Sequence, residues 1–202
     1  MQALSTLAFT IIVLTAMVIL IFRNWRIHTI ALAVQYLAVF YLVTLSWPIG
    51  LAIIKLIVGW MATTAVGLTC MRQIAEEASA EPTSSLFFRG LLGLMVILLI
   101  FVMSPSLHDS VFPNIDLIII RSGFMLIGMA LMQLGTNANP YLTILSLLSL
   151  MAGFEVIHAG LERSTLLTGL MAVVNLGLSL VGVYFIIKAG ERKEKPAERD
   201  VG

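Results

Sequence analysis

Residues 49–70 read IGLAIIKLIVGWMATTAVGLTC, a run of 22 residues in which Lys55 is the only charged side chain. A helix needs about 20 apolar residues to cross the ~30 Å hydrocarbon core of a bilayer. A surface helix of a soluble protein would show a charged face over this length, and this one shows none. The run is therefore read as a membrane-spanning helix. Working outward, six further runs meet the same criterion, at 3–22, 28–46, 87–104, 117–135, 140–158 and 166–188. Backbone N–H and C=O groups cannot go unpaired in lipid, and the alternation of a barrel strand is absent, so each run must be helical. The expected fold is all-α: a polytopic membrane bundle of about seven transmembrane helices over 1–188, with a charged tail at 189–202.

The composition agrees. Hydrophobic residues make up 59% of the chain, charged residues only 11%, and the mean hydropathy is +1.02. A soluble domain carries about a quarter charged residues, so much of this surface must meet something other than water. The net charge of +1 argues against nucleic acid as a partner. The one cysteine, Cys70, excludes an internal disulfide and a thiolate metal cluster. The first apolar run has no basic residue before it and no small-residue cleavage site after it. Arg23 and Arg26 follow it instead, so it is expected to be a retained span.

The breaks between spans are chemically distinct. Spans two and three are separated only by Ser46-Trp47-Pro48, which suits a tight hairpin with tryptophan at the interface. The segment 71–86 carries Glu76, Glu77, Glu81 and Pro82, the segment 105–116 carries His108, Asp109 and Pro113, and 135–140 is a turn cluster. With the N-terminus outside, the inner segments hold Arg23, Arg26, Arg72, Arg89, Lys188, Arg192, Lys193, Lys195 and Arg199, and the outer ones hold only Arg163. That asymmetry predicts an external N-terminus and a cytoplasmic C-terminus. The tail beyond 188 mixes both charge signs and is expected to be solvated and disordered.

Charge inside a bilayer costs roughly 2.5–3.5 kcal/mol per group on insertion scales, so the charged residues within spans are the candidate site. Lys55, Gly59, Thr63 and Gly67 recur every four residues, placing an ammonium on a row of small residues that favours close helix packing. The lysine either aims inward toward a carboxylate on an ion route or extends its stem to the headgroups. Glu155 lies deep in the sixth span, with His158 and Glu162 three and seven residues later on the same face. This reads as a carboxylate–imidazole–carboxylate ladder able to relay protons, or as one buried glutamate with two interfacial neighbours. Glu-x-x-His is also half of a di-iron bundle motif, but no other span supplies matching carboxylates, so no metal is expected. Arg121, a turn inside the fifth span beyond Asp116, could snorkel or pair with an acid. Gln35, with Tyr36 and Tyr41 in span two, could bridge helices or hold water. The sequence has no phosphate loop, nucleophile elbow or metal-binding histidine pair, so no catalysis by the chain alone and no cofactor are expected. No internal repeat is evident, and the eleven methionines read as packing filler.

Three motifs carry a resemblance. Arg26 precedes Gln35 by nine residues at the start of span two. Lys55 stands within Ile53-Ile54-Lys55-Leu56-Ile57-Val58. Gly153-Phe154-Glu155 lies late in span six. With its length and span count, the chain resembles the hydrogenase-4 membrane component E family over most of 1–188. That family is similar in turn to K-type subunits of NADH–quinone oxidoreductases and C-type subunits of multisubunit cation/proton antiporters. The resemblance implies a non-catalytic, multi-pass subunit of the cytoplasmic (inner) membrane, packed beside larger antiporter-like subunits of a proton-translocating respiratory or hydrogenase-type complex. Glu155 would be a membrane carboxylate of the ion path and Lys55 a buried base. K-type subunits carry glutamates in two successive spans, whereas span seven here has Asn175 and Ser179 as its polar residues. A stand-alone small transporter or channel, or a purely structural membrane scaffold, are the alternatives.

Overall fold

A computed structural model describes residues 2–73, 83–137, 139–162 and 164–194. Seven helices account for nearly all of them, and the described residues contain no strand: α1 Gln2–Ile21, α2 Trp25–Thr44, α3 Ile49–Gln73, α4 Thr83–Ser110, α5 Leu117–Thr136, α6 Pro140–Leu161 and α7 Thr165–Glu194. All seven are long and apolar enough to cross a membrane. The chain is thus a bundle with the make-up of a multi-pass protein, and the seven expected runs fall on these seven helices. The acidic stretch around Glu76, Glu77 and Glu81, together with Arg163 and residues 195–202, lies outside the described residues.

Two helices outrun their expected C-terminal ends by six residues, the others by three or fewer. α7 continues six residues past 188, through the start of the charged tail. α4 continues through Pro105 to Ser110, where a break was expected. Proline at this position leaves the Phe101 carbonyl without its helical N–H donor. The Ser104 hydroxyl turns back toward that carbonyl at 3.5 Å, and the Arg121 Nε of α5 donates to the same hydroxyl at 2.9 Å. A local substitute for the missing bond thus carries the helix across the proline.

The helices form two layers. α2 packs between α1 and α3 in one, and α6 packs between α5 and α7 in the other. Across the layers α1 meets α5, α2 meets α6 and α3 meets α7, while α4 closes one end against α1 and α5. α5, α6 and α7 begin 115, 115 and 116 residues after α1, α2 and α3. The equivalent turns also meet. Asn24 caps α2 by accepting from the Arg26 N–H, and Asn139 caps α6 by accepting from the Tyr141 N–H. The Arg23 guanidinium donates to Asn137 Oδ1 at 2.7 Å, and the Tyr141 hydroxyl donates to the Trp25 carbonyl at 3.0 Å. At the opposite end Trp47 Nε1 donates to the Glu162 carbonyl at 3.0 Å. Corresponding helices therefore run parallel, and the fold repeats a three-helix unit.

Enclosure sorts the helices. α6 has 67% of its apolar span buried, against 22% for α4 and α7. The outer faces of α4 and α7 carry exposed Leu91, Met95, Leu98, Val102, Leu170 and Leu180, as a lipid-facing surface would. The closest packing joins α5 to α6. A Cβ added at Gly153 would lie 2.7 Å from the Gly123 carbonyl oxygen, so the two backbones approach without an intervening side chain.

Candidate functional site: an ion pair inside the bundle

Lys55 is the seventh residue of α3 and Glu155 stands six residues before the end of α6, which places both about 9 Å inside the same end of the bundle. Lys55 Nζ lies 3.0 Å from Glu155 Oε1, with both side chains only 3% exposed. α3 and α6 are not packed neighbours, and α2 and α7 adjoin both of them. The long lysine stem bridges that diagonal, so the lysine aims inward and does not extend to the boundary. The contact is an ion pair without the alignment of a hydrogen bond.

Trp47 covers the pair, and further aromatic and polar side chains pack around that tryptophan and on the inner side. The Trp47 ring lies under the ammonium, 5.5 Å from Nζ to the ring centroid. That tryptophan, expected at the interface, is buried instead, because its indole N–H is satisfied by the Glu162 carbonyl. His158 meets Trp47 edge to face at 5.8 Å and stacks with Phe154 at 6.4 Å. On the inner side the Tyr36 hydroxyl donates to Asn175 Oδ1 of α7 at 3.4 Å. Tyr36 reaches this place because Gly59 presents no Cβ, and one added there would strike the Tyr36 ring. The face predicted from Lys55, Gly59, Thr63 and Gly67 is thus turned toward α2: Gly67 lies against Thr29, and Thr63 is buried with its hydroxyl on the Gly59 carbonyl.

The expected relay of Glu155, His158 and Glu162 does not form as a bonded ladder. Both ring nitrogens of His158 are buried without a hydrogen-bond partner, so the imidazole bonds to neither carboxylate. α6 ends at Leu161, and Glu162 adopts an extended backbone (φ −146°, ψ 145°) that takes it out of helical register and leaves it exposed. Arg121 lies elsewhere, on the Ser104 hydroxyl and over the Phe101 ring at 5.2 Å. Asp116 is exposed at the start of α5, and Tyr41 is half-buried. Gln35 is 1% exposed, and both of its amide atoms are unpartnered.

Two buried side chains, one at the site and one near the opposite end, were not evident from the sequence. Trp47 could have been found from its place one short turn before the lysine-bearing helix. His28, fully buried near the opposite end, has Nε2 2.6 Å from the Phe22 carbonyl and stacks on Tyr141 at 5.9 Å. Nothing in an apolar span start marks such a histidine. No group of three or more metal-ligating side chains gathers among the described residues.

The fold and the site together define a seven-helix bundle of membrane-protein composition with a buried charge pair at its core. Comparison with models of known families, with curated proteins and with solved structures finds no match.

Proposed function

We propose that this chain is a non-catalytic, multi-pass subunit of the cell (cytoplasmic) membrane, with its N-terminus outside and its C-terminus inside, that contributes a proton-holding station to a respiratory or hydrogenase-type complex. Its partners in that assembly are larger, antiporter-like membrane subunits, as the resemblance to hydrogenase-4 component E implies. One observation carries the reading: a lysine and a glutamate, on helices that are not neighbours, are held 3.0 Å apart away from water. Apolar residues of similar size would join helices at least as well, since buried ion pairs are often neutral or costly for stability. A pair kept at this depth suits a group whose charge is used. A proton delivered to Glu155 neutralises the carboxylate and frees the ammonium, and its release to the next acceptor restores the pair. His158, buried three residues beyond Glu155 on α6, is the candidate acceptor toward the outer end.

The test is Glu155→Gln in the assembled complex. Proton translocation falls at least about tenfold while assembly is normal, in keeping with the loss of a positioned proton-transfer group. Translocation at the wild-type rate in a normally assembled complex overturns the role. Affinity purification of the tagged chain from native membranes checks the partners, which should come with it as stoichiometric membrane subunits.

One observation favours a second reading, a small transporter acting alone: the parallel pair of three-helix units joined by α4, since parallel repeats build some carriers. Solute or ion flux through the purified chain in liposomes, without other subunits, would select it.

A further inference from the structure

Where α1, α2, α5 and α6 meet, a cavity of about 10 Å³ lies among buried side chains, including Gln35, Ser149, Gln133 and Met129. One side of its polar lining is unsatisfied. Gln35 Nε2, Gln35 Oε1 and Ser149 Oγ are all buried without a partner. Ser149 is unusual among the buried hydroxyls of the described residues. The hydroxyls of Ser146, Thr143 and Thr168 each turn back to the carbonyl four residues earlier, whereas the Ser149 hydroxyl makes no such bond. It is left available to the cavity it lines. On the far side, the Gln133 amide donates to the Ile19 carbonyl at 3.2 Å.

We propose that this cavity is a binding site for one water molecule held by the Gln35 amide and the Ser149 hydroxyl. The volume is at the lower limit of what one water needs, and the three orphaned atoms supply the two to four polar partners that a buried water takes. Water can accept from the amide N–H and donate to the amide oxygen, which a bare cation cannot do. The lining has no carboxylate to balance a cation. Ser149 stands six residues before Glu155 on α6, about 9 Å along the axis. The water therefore occupies the step between the ion pair and the inner end, where Gln133, Asn137 and Arg23 continue the polar line. Its place in a proton path rests on the function proposed above, whereas its binding does not.

Radiolytic hydroxyl-radical labelling of the full chain in nanodiscs tests the binding, because radicals formed from a bound water modify the side chains beside it. Met129 lines the cavity, and Met125, one turn away and equally buried, does not. Met129 should be modified at least about fivefold faster than Met125, and the excess should vanish in Gln35→Leu/Ser149→Ala. Equal protection of the two methionines in the wild-type chain overturns the site, and so does Met129 labelling that persists in the double variant. In the assembled complex the double variant should slow proton translocation several-fold. A wild-type rate removes the water from the path. Fast Met129 labelling beside an unimpaired Glu155→Gln variant would instead overturn the ion-pair reading and leave the water site standing.

Discussion

The ammonium of Lys55 has one countercharge within 4 Å among the described residues, Glu155, and the Trp47 ring face as its second contact. Removing one member of such a pair strands the other. Lys55→Met should therefore destabilise the bundle by about 3–5 kcal/mol, and Lys55→Met/Glu155→Gln should recover most of that loss. The midpoint of unfolding in detergent measures both, and a single variant as stable as the double would contradict an exclusive pairing. Each charge was legible in the sequence because an ionisable residue stands out in an apolar run. Their meeting was not, because apolar helices carry little information about their order around a bundle. His158 and Glu162 show the complementary limit. His158 stays in register inside α6 yet bonds to neither carboxylate, and Glu162 is lost to the face because the helix stops at Leu161, so spacing has meaning only while the helix lasts.

At the level of the helices, centres were readable and ends were not. Hydropathy falls at Pro105 and again after Lys188, yet α4 and α7 continue past both positions. In α4 the reason is the Ser104 hydroxyl and the Arg121 side chain, contacts between residues 17 apart in sequence that no window average registers. Contact between α5 and α6 depends on Gly153 in the same way, through a partner 30 residues away. Gly153→Ala should cost about 1–3 kcal/mol by forcing the two backbones apart. Gly177→Ala, with nothing within 4 Å of the added carbon, should be neutral or stabilising by up to about 1 kcal/mol. Thermal unfolding of the two variants side by side checks the contrast, and equal effects would count against the close approach.

Taken whole, the chain repeats a three-helix layer at a spacing of 115–116 residues that its side chains do not advertise, because apolar residues substitute for one another freely in such packing. Class and helix number follow from composition and run length, while layer order and the turn-to-turn contacts of Arg23 with Asn137 and Tyr141 with Trp25 required three dimensions. The proposed orientation can be tested on the intact molecule. Cys70 is fully buried, so an added cysteine is read against a quiet background. In whole cells, membrane-impermeant maleimide should label Ser110→Cys and leave Gly135→Cys untouched until the membrane is opened; the reverse pattern would invert the topology. The closed Lys55–Glu155 contact has an electrical corollary. Opposite unit charges side by side sum to zero, so a transmembrane voltage exerts almost no net pull on them while they touch. The field can act, at about 2.3 kcal/mol per charge per 100 mV across the full thickness, only once one charge is neutralised or moves away. Voltage sensitivity would then be confined to the step that separates them.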